Sequence, residues 1–101
     1  MKISIITAMP EETQAIVRAL QHAQKIKTGE LTVYQAQRCG HEIVVAEAGM
    51  GFANAAKAAR QLLGELRPAL MISAGFCGGI SAELQVGDAV VAAGLVPCFP
   101  S

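Results

Sequence analysis

Several features are missing from this sequence, and each absence closes off a class of function. Neither sign of charge is in excess: lysine and arginine total 8, and aspartate and glutamate total 8. No block of like charge stands anywhere along the chain. A formally neutral protein gives no electrostatic reason to expect nucleic acid or an anionic membrane as partner. Cysteines are few. The three, Cys39, Cys77 and Cys98, are odd in number and form no CxxC motif or Cys/His cluster. That argues against a disulfide framework and against a zinc site, and it fits reduced thiols in a cytosolic protein. No apolar run is long enough to span a bilayer. The opening residues, MKISIITAMPEE, hold one lysine and a short apolar run that meets two acids, which falls short of a secretory signal. A soluble, cytoplasmic protein is expected. Internal repeats, low-complexity stretches and linkers are absent as well.

What is present is core-forming. Hydrophobic residues make up 52% of the 101 and charged residues 16%. That suits one modest domain with no internal boundary over residues 1–101. KISIIT, residues 2–7, reads as a buried strand rich in β-branched residues. Pro10 then fits the first turn of a helix, and Glu11 and Glu12 there complement the helix dipole. Residues 31–37 and 42–49 read as two strands of a hairpin turning at Gly40. Phe52, Ala55, Ala56, Ala59, Leu62, Leu63 and Leu66 repeat at helical spacing until Pro68 stops them. Residues 69–75 form a continuous apolar run of the kind buried on both faces of a sheet. After a Gly87-Asp88 turn, residues 89–96 read as a further apolar strand.

Strands alternating with helices predict an α/β fold, with helices flanking a mixed, mainly parallel central sheet. Ligands in such folds sit beyond the carboxyl ends of the strands. Three unusual stretches fall there: residues 8–12, 49–51 and 75–79. Glu12 is either a general base facing a pocket or a solvated helix-cap acid, with Glu11 as the exposed alternative. As a base near neutral pH it would need its pKa raised by partial burial. Gly49-Met50-Gly51 either brings backbone to a ligand at a helix N-terminus or makes a tight turn needing positive φ. Asn54 stands where a GxGxxG motif needs its third glycine, and no P-loop motif occurs. Gly75, Gly78 and Gly79 would let backbone approach a flat ligand, with Phe76 as an apolar wall or as a core residue. Cys77 reads as a small hydrophobe more than as a nucleophile, because no histidine with a plausible partner lies beside it.

Four stretches, MKISIITAMPEE, AEAGMGFANAA, ISAGFCGGI and LQVGDAVV, occur in an order and spacing that resemble a known family. It is the purine nucleoside phosphorylase/uridine phosphorylase superfamily, nearest to its methylthioadenosine/S-adenosylhomocysteine nucleosidase branch. The resemblance covers the amino-terminal half of that family and runs to about Val91. It implies a three-layer α/β sandwich, incomplete in this chain, and cleavage of a purine nucleoside's N-glycosidic bond by water. It implies no metal or organic cofactor. By position, Glu12 would help activate the water, and Ala8 and Met9 would flank it and the ribose. Met50 and Gly51 would lie near the sugar and its 5′ substituent. Phe76, Cys77 and Gly78 would run past ribose and base.

The sequence departs from the family in two ways. Nucleosidases usually carry Ser-Ala where this chain has Phe76-Cys77, so a side-chain hydroxyl donor is lost. Phosphorylases tend to carry a Gly-Asp-Pro-x-Arg phosphate motif near the start. TAMPEET has no arginine, and Glu12 would repel an anion, which favours water over phosphate. Phosphorolysis and a non-catalytic α/β binding module remain the alternatives. The chain also has only about half the family's length, which reads as an amino-terminal fragment lacking the acids that protonate the base and grip the ribose. Exposing roughly 500 Å² of extra apolar surface would cost about 12 kcal/mol, as much as a whole domain's stability. The fragment is therefore expected to form homo-oligomers or to stay bound to the missing carboxyl-terminal half.

Overall fold

The computed structural model describes residues 1–77 and 79–95. Seven elements follow one another: β1 (Lys2–Thr7), α1 (Pro10–Leu20), β2 (Gln24–Thr28), β3 (Leu31–Arg38), β4 (His41–Glu47), α2 (Phe52–Leu66) and β5 (Leu70–Ser73). They build one five-stranded mixed sheet in the order β2-β3-β4-β1-β5. β1 pairs in parallel with both β4 and β5, whereas β2–β3 and β3–β4 are antiparallel.

The two faces of the sheet follow from strand alternation. Ile6, Val44, Ala46 and Val33 lie on one face and pack with Ala58 and Leu62 of α2 to form the core. Leu62 is fully buried, and burying such a side chain contributes about 1.5–3 kcal/mol. Thr7, Val45 and Glu47 lie on the other face, where α1 packs against β4, β1 and β3. The result is the expected helix–sheet–helix layering.

α1 begins as its sequence predicts. Pro10 takes the first helical position, where an N–H would have no partner. Met9 is extended at the N-cap but has no cap oxygen, so the Glu12 carboxylate reaches back to accept from the Met9 N–H.

Three expectations need correction. β2 was not foreseen. Residues 69–75 do not form a strand buried on both faces. β5 is shorter, lies at the sheet's edge, and leaves Leu70 and Ile72 exposed. Residues 89–95 form no strand, and Val90 and Val91 stand exposed. An apolar run becomes a strand only where a neighbour pairs its N–H and C=O groups, and the described residues offer it none. Val96, the end of that predicted strand, lies outside the described residues. Within α2 the expected apolar repeat is only half used. Leu62 is buried, but Phe52, Ala55 and Leu63 face outward, and Ala58 supplies the other core contact.

Candidate functional site

The parallel register brings three chain ends together. Thr7 of β1 is level with Glu47 of β4, and Ile6 is level with Ser73 of β5. The ladder continues one step past each strand, through Ala48 N–H to the Thr7 carbonyl at 2.8 Å and Ala74 N–H to the Ile6 carbonyl at 2.9 Å. The turns after β1, β4 and β5 therefore leave the sheet side by side, as the sequence predicts.

Glu12 stands at the centre of this edge. Only 5% of its surface is accessible. Its Oε1 accepts from the Ala8 N–H at 3.0 Å and the Met9 N–H at 3.1 Å. Its Oε2 accepts from the Phe76 N–H at 2.8 Å. These bonds, with Phe76 the largest contributor and Ala8 next, outweigh the cost of burial and hold the carboxyl below its ordinary pKa. The upward shift that a general base near neutral pH would need is not present, because amide dipoles replace the lost water. Glu12 is an anion at neutral pH. A carboxylate has about four acceptor positions; donors among the described residues fill three and leave one on Oε2.

The same contact explains Gly75. A Cβ there would sit 2.5 Å from Glu12 Oε2, closer than any real side chain approaches. This glycine serves close approach to Glu12. Gly49 and Gly51 have φ of +89° and +95°, so the turn after β4 needs positive φ. Gly51 is also the N-cap of α2.

Of the predicted residues, Ala8, Met9, Glu12 and the Phe76 backbone meet in one cluster. Met50 and Gly51 share the same sheet edge, and both are exposed. The Phe76 ring is 64% exposed, so it is not a core residue. Cys77 is exposed and does not pack as a small hydrophobe. Gly78 lies outside the described residues.

Sequence reasoning missed a buried hydroxyl pair beneath the site. Thr13 Oγ1 lies 2.7 Å from Thr7 Oγ1 and within reach of Glu47 Oε1 at 3.0 Å and the Met9 carbonyl at 3.1 Å. No local signal marks this pair, which exists only because α1 crosses the end of β1. A roomy groove of about 600 Å³ opens at the opposite end of the sheet, lined by Leu20, Gln21, His22 and Arg38 among others. It holds none of these residues, and Arg38 Nη1 donates to the Ala19 and Leu20 carbonyls.

A mixed sheet between helices, with an anionic side chain held past the ends of parallel strands, defines an α/β protein. The chain belongs to the Phosphorylase superfamily, whose sequence pattern matches residues 2–97. The 5'-methylthioadenosine/S-adenosylhomocysteine nucleosidase of Listeria welshimeri is 33% identical over 91 residues, covering 90% of this chain and 39% of that protein. The S-adenosylhomocysteine nucleosidase of Streptococcus pyogenes, solved with 5-methylthiotubericidin, superposes with a TM-score of 0.74 at 30% identity. It is matched over 87% of this chain and 37% of its own. The Streptococcus pneumoniae nucleosidase, solved with a transition-state inhibitor, gives 0.75 at 32% identity over 87% and 38%. The chain thus spans less than two-fifths of the length of these relatives.

Proposed function

We propose that the protein of full family length carrying this segment hydrolyses the N-glycosidic bond of a purine nucleoside of the methylthioadenosine/S-adenosylhomocysteine type. The observation that carries this reading is the Glu12 carboxylate, ionised, fixed by three amides, and left with one acceptor position by the described residues. A water held there would face a sugar lying across the turns after β1, β4 and β5. As the base departs, the sugar becomes cationic at its anomeric carbon, and a nearby fixed anion stabilises that charge. The attacking water then grows acidic as its oxygen bonds to carbon. A weakly basic carboxylate suffices to take its proton at that stage.

The other candidates have supporting roles. Ala8 and Met9 would lie beside the water and the ribose while their N–H groups hold Glu12. Met50 and Gly51 would flank the sugar and its 5′ substituent, and Phe76, Cys77 and Gly78 the ribose and base. The exposed Phe76 ring supplies an apolar wall where relatives with a hydroxyl would donate a hydrogen bond. The activity belongs to a soluble enzyme in a reducing, cytoplasmic setting, acting as an oligomer.

The test is release of free adenine or a related base from 5′-methylthioadenosine by the full-length protein without phosphate. A strict phosphate requirement would replace hydrolysis with phosphorolysis. Tight analogue binding without any turnover would make the protein a binding module.

A further inference from the structure

Thr13 is completely buried, and its hydroxyl sits where β1, β4 and α1 meet. The direction of its hydrogen bonds follows from its partners. Glu47 Oε1 and the Met9 carbonyl can only accept, so the Thr13 proton goes to one of them, and Thr7 Oγ1, 2.7 Å away, donates to Thr13. Thr13 then has one proton for two acceptors, Glu47 Oε1 at 3.0 Å and the Met9 carbonyl at 3.1 Å. The charged oxygen is the stronger acceptor. A chain results, Thr7 to Thr13 to Glu47, that ends on a carboxylate.

Its placement gives it a purpose. Met9 is held from both sides, its N–H donating to Glu12 and its carbonyl accepting from the Thr13 N–H at 3.1 Å. Glu47 is the last residue of β4 and stands directly before the turn that carries Gly49, Met50 and Gly51. One buried hydroxyl therefore fixes the turn holding Glu12 against the turn holding Met50. No other side-chain hydrogen bond among the described residues joins α1 to the end of β4.

We propose that Thr13, acting with Thr7 and Glu47, is a positioning residue that sets the Glu12 turn against the Met50 turn for the reaction. The proposal rests on the nucleosidase reading above. Reacting groups must be held to within about 0.5 Å, and a displacement of about 1 Å costs on the order of a hundredfold in rate.

The experiment uses the full-length protein. Thr13→Val keeps the shape and removes only the hydroxyl. It should lower kcat about tenfold to a hundredfold while KM hardly moves, and Thr13→Ser should restore most of the loss. Adding Glu47→Ala to Thr13→Val should cost nothing further, because the link is already cut. Glu47→Ala alone tests the same link should Thr13→Val fail to fold. Unchanged kcat in Thr13→Val, a Thr13→Ser as slow as Thr13→Val, or two losses that simply multiply would each overturn the proposal. If the wild type releases no base, the nucleosidase reading fails, and amide exchange decides the positioning role instead. Thr13→Val should then speed exchange at both Met9 and Ala48, and an unchanged rate at either one overturns it.

Discussion

The Phe76 N–H donates to Glu12 Oε2 at 2.8 Å across 64 residues of chain. It joins the turn after β5 to the first turn of α1 without any help from the Phe76 side chain. The identity of the side chain at this position therefore leaves the Glu12 anchor untouched. Phe76→Ser should change the unfolding free energy measured in urea by no more than about 0.5 kcal/mol, as an exposed position allows. Phe76→Pro, which removes the donor, should lower the stability measurably more than Phe76→Ser and remove most of the activity. Equal behaviour of the two variants would show that the amide does not matter.

Gly75 makes a second prediction. Its Cβ would lie 2.5 Å from Glu12 Oε2, and that oxygen is pinned rather than free to swing away. Gly75→Ala should destabilise by about 1–3 kcal/mol, the usual cost of overpacking. It should also slow base release, because Glu12 must leave its amides to make room. Chemical denaturation and turnover of the same sample would check both, and a wild-type midpoint would refute the close approach.

The depressed Glu12 pKa has a pH consequence. The folded carboxyl titrates lower than the unfolded one. Its contribution to stability is therefore complete above the ordinary carboxylate range and disappears as the pH falls through the lowered folded value. Exchange of the Phe76 amide should quicken as Glu12 protonates in acid, beyond the intrinsic pH trend. Glu12→Gln should remove that dependence: its amide oxygen can still serve Ala8 and Met9, but its NH₂ group cannot accept from Phe76. A Glu12→Gln profile identical to wild type would show that another group controls this loop.

The same contact marks how far the sequence could be read. Glu12, Pro10 and the strand before them are local signals, and β1, α1, the β3–β4 hairpin and α2 lie where those signals put them. The convergence of three turns followed from strand parity and direction alone. The sign of the Glu12 shift did not, because it depends on an amide 64 residues away. β2 was hidden in QKIKT, where Ile26 is the one apolar residue, set between two lysines, and the strand exists because β3 pairs it. Residues 89–95 fail in the opposite sense: they are apolar enough for a strand but have no partner among the described residues. The Thr7–Thr13 pair was invisible because nothing in either residue's neighbours says that α1 crosses the end of β1.

The last prediction concerns the apolar surface left uncovered. Among the described residues no strand lies beyond β5, so the outer N–H and C=O groups of that strand are open to pairing. Leu70 and Ile72 on β5 and Phe52 and Leu63 on α2 are exposed, Phe52 to 90%. An open apolar edge recruits another chain unless charge or proline blunts it, and β5 carries neither. The 101-residue chain should therefore scatter light as a species larger than its 10.5 kDa monomer, increasingly so with concentration. Ile72→Lys places a charge on the open edge and should shift the population toward monomer, while Phe52→Ser should act less strongly because it leaves the β5 backbone free. A cooperatively unfolding wild-type monomer at all concentrations would mean that this edge is closed in solution by something other than a second chain.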